Sequence, residues 1–317
     1  MPTAERAARR RRLALRLFGI GLAALTAWLV AEIVRQTDWP AVQLALRQRR
    51  AADLVLIAAL ALASHALYGV IDILGARALL LRLPRRRVWL TATSSYACNL
   101  NLGSLLGAAA LRFKLYGRQG VAVADISRLI ATSVAANWIG HLVLFAGLPL
   151  WGGTAVLAQW TGWAGAYGLS VAAALLVALY LLACRSAREW SERGYRFRFP
   201  PWRLGLSQTV IAAANWALMG ALLQRCLGDG ADYATTLAAL LIAAVAGAAM
   251  HIPGGWGVLD YVILKSLSGG LDPHRLVAGV LVYRAAYYLL PLMLASLSIG
   301  WLLRAPPPQE PLAGGTA

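Results

Sequence analysis

The chain has 317 residues, and 60% of them are hydrophobic, whereas a soluble domain averages about 45–50% apolar residues. Several nearly uncharged runs exceed the ~20 residues that a helix needs to cross a bilayer, so the composition excludes a soluble globular protein and predicts an all-α membrane protein with many spans. The formal net charge of +17 would suggest nucleic acid in a soluble chain, but here basic cytosolic loops and anionic lipid explain it.

The absence of several sequence motifs excludes other function classes. Cys98, Cys184 and Cys226 are far apart, and the four histidines are scattered, which predicts neither a disulfide framework nor a metal site. The sequence contains no phosphate-binding loop and no catalytic triad pattern. We therefore expect no cofactor, no ATP hydrolysis and no nucleic-acid partner.

The predicted elements follow in chain order. A basic cytosolic segment, 1–12, precedes a single transmembrane domain, 13–303, and a disordered Pro/Gly-rich tail, 304–317. The first span is too long for a cleaved secretory signal. About six transmembrane helices are expected, over 13–34, 53–80, 121–150, 164–184, 204–227 and 275–303.

Two further apolar segments are interrupted and are predicted to enter the membrane and return on the same side. The first, 88–111, has a polar middle, and basic residues flank it at Arg85–Arg87 and again from Arg112 onward. A re-entrant hairpin keeps both clusters in the cytosol. The second, 234–267, is broken by His-Ile-Pro-Gly-Gly-Trp-Gly, and glycine and proline cannot continue a helix without cost. Broken backbone at membrane depth survives only where protein or a wet cavity covers it.

The order span, broken segment, span occurs twice, over 53–150 and 204–303, and the two broken segments start from opposite faces. This order predicts an inverted repeat, which in transporters places the substrate at the bilayer midplane. Both termini are expected in the cytosol of a bacterial inner membrane. The first outer loop fits the positive-inside rule poorly, because it carries Arg35, Arg47, Arg49 and Arg50.

Two motifs resemble a known family. Pro-Gly-Gly-Trp-Gly-Val-Leu-Asp at 253–260, with Tyr283-Arg284 and Pro291 after it, resembles the C-terminal signature of the lysylphosphatidylglycerol synthetase/flippase-like integral membrane family, and Gly-Ser-Leu-Leu-Gly-Ala-Ala-Ala-Leu-Arg at 103–112 resembles its N-terminal signature. The resemblance covers roughly 50–303. Two departures are that 108–110 hold no acidic residue and that Asp260 stands where many members have Glu.

The resemblance implies a flippase that moves a phospholipid, such as aminoacylated phosphatidylglycerol, or a lipid-linked sugar between leaflets. The family's synthetase is a separate cytosolic domain that this chain is too short to contain, so aminoacyl transfer is not expected. Two alternatives stay open: an enzyme of lipid modification akin to phosphatidylglycerol lysyltransferase, and a non-catalytic partner of a separately encoded synthetase or glycosyltransferase. The expected partners are membrane phospholipids.

Arg284 is the strongest candidate for the site, because an arginine inside a span is costly unless it is paired. Asp260 or a lipid phosphate would pair with it, and a purely structural Arg–Asp pair is the alternative. Arg112 and Lys114 would receive a headgroup after the first break, since arginine binds phosphate through two hydrogen bonds. The alternative is that both only snorkel to the interface.

Polar residues near the breaks complete the predicted site. Asn99, Asn101, His251 and Tyr283 are candidate substrate ligands, although such residues are often structural links between helices. The residues predicted to form the break or gate are Gly103, Pro253, Gly254, Gly255, Trp256 and Gly257. His65 and Asp72 lie seven residues apart on one helical face and would be able to form a proton-linked pair.

Overall fold

The structure is a computed structural model that describes residues 49–103, 108–186, 189–192, 195–250 and 253–304, with positions 40, 43, 44 and 47. The basic segment 1–12, the first expected span and the expected tail beyond residue 304 lie outside the described residues. His251 lies outside them as well.

Between residues 49 and 304, the described residues form eleven α-helices in chain order. They are α1 (Ala51–Ala78), α2 (Arg85–Leu102), α3 (Ala110–Gly117), α4 (Val123–Ala146), α5 (Leu148–Trp151), α6 (Thr154–Arg185), α7 (Trp202–Leu227), α8 (Tyr233–Ala249), α9 (Val258–Leu267), α10 (Pro273–Arg284) and α11 (Leu290–Arg304). A 3₁₀ turn, Pro253–Gly255, lies between α8 and α9, and a π-helical segment, Ala285–Leu289, joins α10 to α11. Strands β1 (Glu189–Glu192) and β2 (Tyr195–Arg198) form an antiparallel hairpin between α6 and α7 that we did not predict.

Five of the described helical units are long and apolar enough to cross a membrane: α1, α4, α6, α7 and the continuous unit Pro273–Arg304. They coincide with five of the six expected spans. Helix α6 begins ten residues earlier than predicted and continues through a kink at Gly162, where φ is 70°. The prediction of an all-α protein with many spans is confirmed for these residues, apart from the small hairpin.

Helix α7 lies at the centre of the bundle and packs against α1 and α4. Polar side chains link these helices, because Gln208 donates to the carbonyl oxygen of Ile71 at 3.2 Å and the Trp216 indole donates to that of Asn137 at 3.0 Å. Without water, such hydrogen bonds and close packing hold membrane helices together. The helices α4 and α7 approach closely at Gly140, where a Cβ atom would collide with Ala212 of α7.

We expect Gly140→Ala to lower the free energy of unfolding by about 1–3 kcal/mol, because α4 and α7 would have to separate. Gly168→Ala is the matched control, since Gly168 also lies inside a helix but an added Cβ meets nothing within 4 Å. Alanine favours the helix over glycine, so the control should be neutral or slightly stabilising. Unfolding in a denaturing-detergent titration measures both variants, and equal effects would contradict the assigned α4–α7 contact.

In each interrupted segment the two ends lie close together: those of the first segment meet the same turn of α11, and those of the second lie beside each other. At the start of α2, the Arg86 guanidinium lies 5.0 Å from the Trp301 ring centroid, and beyond α3 the Arg118 guanidinium donates to the carbonyl oxygen of Leu303 at 3.0 Å. Both partners belong to the last turn of α11. Beyond α9, Leu271 lies beside Gly230, which precedes α8: its Cδ2 is 3.9 Å from a Cβ built on that glycine.

Candidate functional site

The Gly-rich turn between α8 and α9 packs directly against the end of α2. Gly254 has φ of 65°, and a Cβ atom there would collide with the carbonyl oxygen of Leu100. Beside this contact, Asn101 donates to the carbonyl oxygen of Tyr288 at 3.1 Å. The two breaks, which are far apart in the sequence, therefore meet. Three neighbouring glycines also have positive φ: Gly103 (83°), Gly255 (61°) and Gly257 (77°).

Arg284, the last residue of α10, holds this turn in place. Its Nε and Nη2 atoms donate to the two carboxylate oxygens of Asp260, each at 2.9 Å, and Nη1 donates to the carbonyl oxygen of Gly254 at 2.7 Å. Nη2 also reaches the carbonyl oxygen of Gly255 at 3.3 Å. Asp260 in turn accepts from the backbone N–H of Gly257 at 3.0 Å. The predicted Arg–Asp pair is thus present and also binds the backbone of the turn.

Two aromatic rings lie against the Arg284 guanidinium. The ring centroids of Trp256 and Tyr288 each lie 4.5 Å from its Cζ atom, a distance at which the π-system stabilises the cation. Arg284 is only 4% exposed, whereas the Asp260 side chain is 20% exposed. A ligand can therefore reach the pair from the Asp260 side.

We expect Gly254→Ala to impair folding or shift the turn, because the added methyl meets the Leu100 carbonyl and a positive φ is strained for alanine. The cost should be about 1–3 kcal/mol of unfolding free energy. Thermal unfolding in detergent measures it. Gly120→Ala, at φ of 77° with open space, is the control for strain alone, and an equal loss in both variants would argue against the contact between the two breaks.

The first break carries a second ion pair, which is buried. Arg112 of α3 donates to the carboxylate of Asp72 of α1 at 2.8 Å, with side chains 1% and 0% exposed. The Tyr116 hydroxyl lies 3.4 Å from the other oxygen of Asp72. The snorkelling alternative for Arg112 is therefore wrong, while Lys114, two residues further along α3, is exposed. The proton-linked pair of His65 with Asp72 is wrong too, since Asp72 binds Arg112 and His65 Nδ1 faces the Ala61 carbonyl.

A row of buried tyrosines lies between the two ion pairs. The Arg112 Cζ atom is 5.9 Å from the Tyr68 ring, which stacks on Tyr96 at 3.8 Å between centroids. The hydroxyls of Tyr96 and Tyr287 are 2.9 Å apart, and the Tyr287 and Tyr288 rings are 5.9 Å apart. Tyr288 then contacts Arg284, so aromatic and polar contacts connect the two halves without bringing Arg112 to Arg284.

The remaining predicted residues differ in burial. Asn101 and Tyr283 lie in the buried centre, where Tyr283 stacks on Tyr287 with centroids 5.4 Å apart. Asn99 is half-buried, and the side-chain contacts of Pro253 are outside the description. We did not predict Tyr288 as a site residue, and we did not predict that Asp72 pairs with Arg112. An acidic residue inside an apolar span was a sufficient signal for Asp72, because such residues are costly unless paired.

The π-helical segment Ala285–Leu289 lies at this centre, between Arg284 and α11. Pro291 contributes to this segment, because it has no N–H to give to the carbonyl oxygen of Tyr287 four residues earlier. Single π-turns inside α-helices are frequent at functional sites.

A charged pocket of about 470 Å³ lies at the end of the bundle where α1 and α10 begin and α7 ends. Its charged lining residues are Arg49, Asp53, Arg225, Asp229 and Arg275. Arg49 donates to the carbonyl oxygens of Arg225 and Cys226, which lie in the last turn of α7. A cation at a helix C-terminus is favourable, which gives one basic residue of the first outer loop a structural reason.

Comparison with known proteins shows where the chain belongs, although no family model matches it. It is 31% identical over 272 residues to inner membrane protein YbhN of Escherichia coli, covering 84% of this chain and 85% of that protein. It is 26% identical over 225 residues to uncharacterized protein slr0712 of Synechocystis sp., with 69% of each chain covered. Phosphatidylglycerol lysyltransferase of Staphylococcus xylosus is 32% identical over 96 residues, which are 29% of this chain but 11% of that enzyme.

These similarities confirm the resemblance to the lysylphosphatidylglycerol synthetase/flippase-like family, and the five apolar helices agree with a location in the inner membrane. The chain therefore belongs to the family of YbhN-like inner membrane proteins and shares part of its length with the phosphatidylglycerol lysyltransferases.

Proposed function

We propose that the protein is a lipid flippase, which moves a phospholipid or a lipid-linked sugar between the leaflets of the bacterial inner membrane. The observation that carries this proposal is the meeting of two interrupted segments at a buried, ion-paired centre, where Gly254 touches the end of α2. Transporters place their substrate where two broken helices face each other, because polar groups at helix ends are available there.

We further propose that α2–α3 and α8–α9 are re-entrant hairpins that come from opposite faces. Support comes from Arg86 and Arg118, which lie before and after the first segment and both contact the last turn of α11. Helix α8 has 17 residues and α9 has 10, so at 1.5 Å per residue neither spans a bilayer of about 30 Å. The basic end with Arg85–Arg87 would face the cytosol, with both termini there.

We also propose that the two halves form an inverted repeat, each with one ion pair on its return helix. In the first half the return helix α3 carries the arginine, Arg112, and the span α1 carries its aspartate. In the second half the return helix α9 carries Asp260, and the following unit carries Arg284. Each return helix is thus tied to a span by one ion pair. A lipid phosphate has the oxygens to replace a carboxylate on arginine, which would release a return helix while a headgroup passes.

An enzyme of lipid modification is less well supported by the site. Both oxygens of Asp260 are already engaged, by Arg284 and by the N–H of Gly257, so this carboxylate is poorly placed as a general base. The shared 96 residues with phosphatidylglycerol lysyltransferase are a small part of that enzyme. We therefore propose phospholipids as partners of the chain, with a separately encoded synthetase or glycosyltransferase as the source of a modified lipid.

The test is a leaflet-exchange assay in proteoliposomes with tail-labelled phosphatidylglycerol or its lysyl ester and a membrane-impermeant quencher. We expect exchange about ten-fold or more above protein-free vesicles, with the lipid recovered chemically unchanged by mass spectrometry. A changed lipid would instead establish an enzyme. Exchange at the protein-free rate for both lipids and for a lipid-linked sugar would overturn the proposal in favour of a non-catalytic partner.

A further inference from the structure

A second cavity, of about 680 Å³, lies between α1, α2 and α11, apart from the ion pairs. Its apolar walls include Leu62, Ala66, Leu90 and Pro291. The rim residue Leu297 is 74% exposed, and Leu62 and Leu294 are exposed too. In a protein that spans a membrane, exposed leucines face acyl chains, so the cavity opens sideways into the hydrocarbon. Its volume lies within the range of about 300–1,000 Å³ that is usual for small-molecule sites.

Two buried polar atoms in the lining of this cavity have no hydrogen-bond partner among the described residues. They are Nε2 of His65, on α1, and the hydroxyl of Ser94, on α2. The two side chains are 4% and 1% exposed. A polar group buried in apolar surroundings without a partner is unfavourable, so this pair indicates a ligand that supplies the missing hydrogen bonds.

The protonation of His65 defines which group fits. His65 Nδ1 lies 3.0 Å from the carbonyl oxygen of Ala61, and a carbonyl only accepts, so Nδ1 carries the hydrogen. In a neutral imidazole Nε2 is then an acceptor, whereas the Ser94 hydroxyl both donates and accepts. A ligand hydroxyl that donates to His65 Nε2 and accepts from the Ser94 hydroxyl would satisfy both atoms.

The cavity selects against charge. His65 is the only residue with an ionisable side chain among its described lining residues, so no carboxylate is present for an ammonium group and no arginine or lysine for a phosphate. An unpaired charge in such surroundings is strongly disfavoured. We propose that this cavity binds diacylglycerol, a neutral lipid whose single hydroxyl lies between His65 and Ser94 and whose acyl chains leave through the open side. The site would be additional to the path proposed for flipping.

The test uses the full chain in lipid nanodiscs with a photoreactive dioleoylglycerol, whose attachment sites are mapped by mass spectrometry. We expect labelling on α1, α2 or α11 that unlabelled dioleoylglycerol displaces. The same lipid with its hydroxyl acetylated, and phosphatidylglycerol, should compete at least about five-fold less well, which is the effect of one ordinary hydrogen bond.

Ser94→Ala should weaken dioleoylglycerol binding about five-fold. Ser298→Ala is the matched control, because Ser298 lines the same cavity but already donates to the carbonyl oxygen of Leu294 at 3.0 Å. Ala63→Trp, at an exposed lining position, should block labelling while leaving the fold intact. Both altered variants are scored against wild type at equal amounts of monodisperse protein.

Three outcomes would overturn the inference: equal competition by the acetylated lipid, equal competition by phosphatidylglycerol, or cross-linking of residues 1–39 into the cavity with no displacement by dioleoylglycerol. Binding is measured without transport, so the two proposals fail separately. A protein that binds dioleoylglycerol but exchanges no lipid would contradict only the flippase.

Discussion

Arg284→Gln should reduce lipid exchange by about ten-fold or more, because a glutamine cannot make the four hydrogen bonds that join Asp260 to the turn. The turn would lose its fixed position against α2. Leaving Asp260 without its buried partner should also cost about 3 kcal/mol of unfolding free energy, the lower end for a broken buried pair because Asp260 is partly exposed. Exchange in proteoliposomes and unfolding in denaturing detergent measure the two effects.

Arg128→Gln is the matched control for this variant. Arg128 also binds an aspartate, Asp125, at 3.0 Å, but both side chains are more than a third exposed, at 42% and 35%. Exposed pairs contribute little, so exchange and stability should match the wild type. Arg284→Lys keeps the charge but loses the two parallel hydrogen bonds to Asp260, so its exchange rate and stability should lie between those of Arg284→Gln and the wild type. If Arg284→Gln exchanged lipid as fast as Arg128→Gln, the pair would have only a structural role.

Asp72→Asn should be the most destabilising single change at the first break, with a loss of about 3–5 kcal/mol, because it strands the fully buried Arg112. Arg112→Leu with Asp72→Asn removes both charges and should recover most of that loss, since a buried ion pair is replaceable by neutral groups of similar volume. The free energies of unfolding of both single variants and the double variant give the coupling directly.

Additive losses in this cycle would contradict the assigned pair, because partners in contact should couple by at least about 0.5 kcal/mol. Lipid exchange in the stable double variant is a further measurement. If each return helix must detach from its span as a headgroup passes, the neutral pair should alter the exchange rate even though the protein is folded.

The spans, the breaks and the Arg284 pair can be predicted from the sequence, because each depends on a local property of the chain. Five spans can be located from uninterrupted apolar length, which a bilayer requires whatever the tertiary fold. The two breaks follow from the glycines and the proline, whose backbone preferences act at their own positions. Arg284 is identifiable because an unpaired charge cannot remain inside a span, and Asp260, one of few acids nearby, is its natural partner.

The tertiary structure decided which elements meet. Arg112 pairs with Asp72, 40 residues earlier, and not with a headgroup at the surface. This pairing depends on where α3 lies relative to α1. The row from Tyr68 to Tyr288 is likewise absent from any local pattern, because aromatic residues in apolar helices are equally suited to face lipid or core. Contacts between residues far apart in the chain depend on helix packing, and in a membrane this packing is set by shape and hydrogen bonding more than by hydrophobicity. The sequence thus determined where helices run and break, whereas only the packed bundle determined which breaks, charges and rings share the centre.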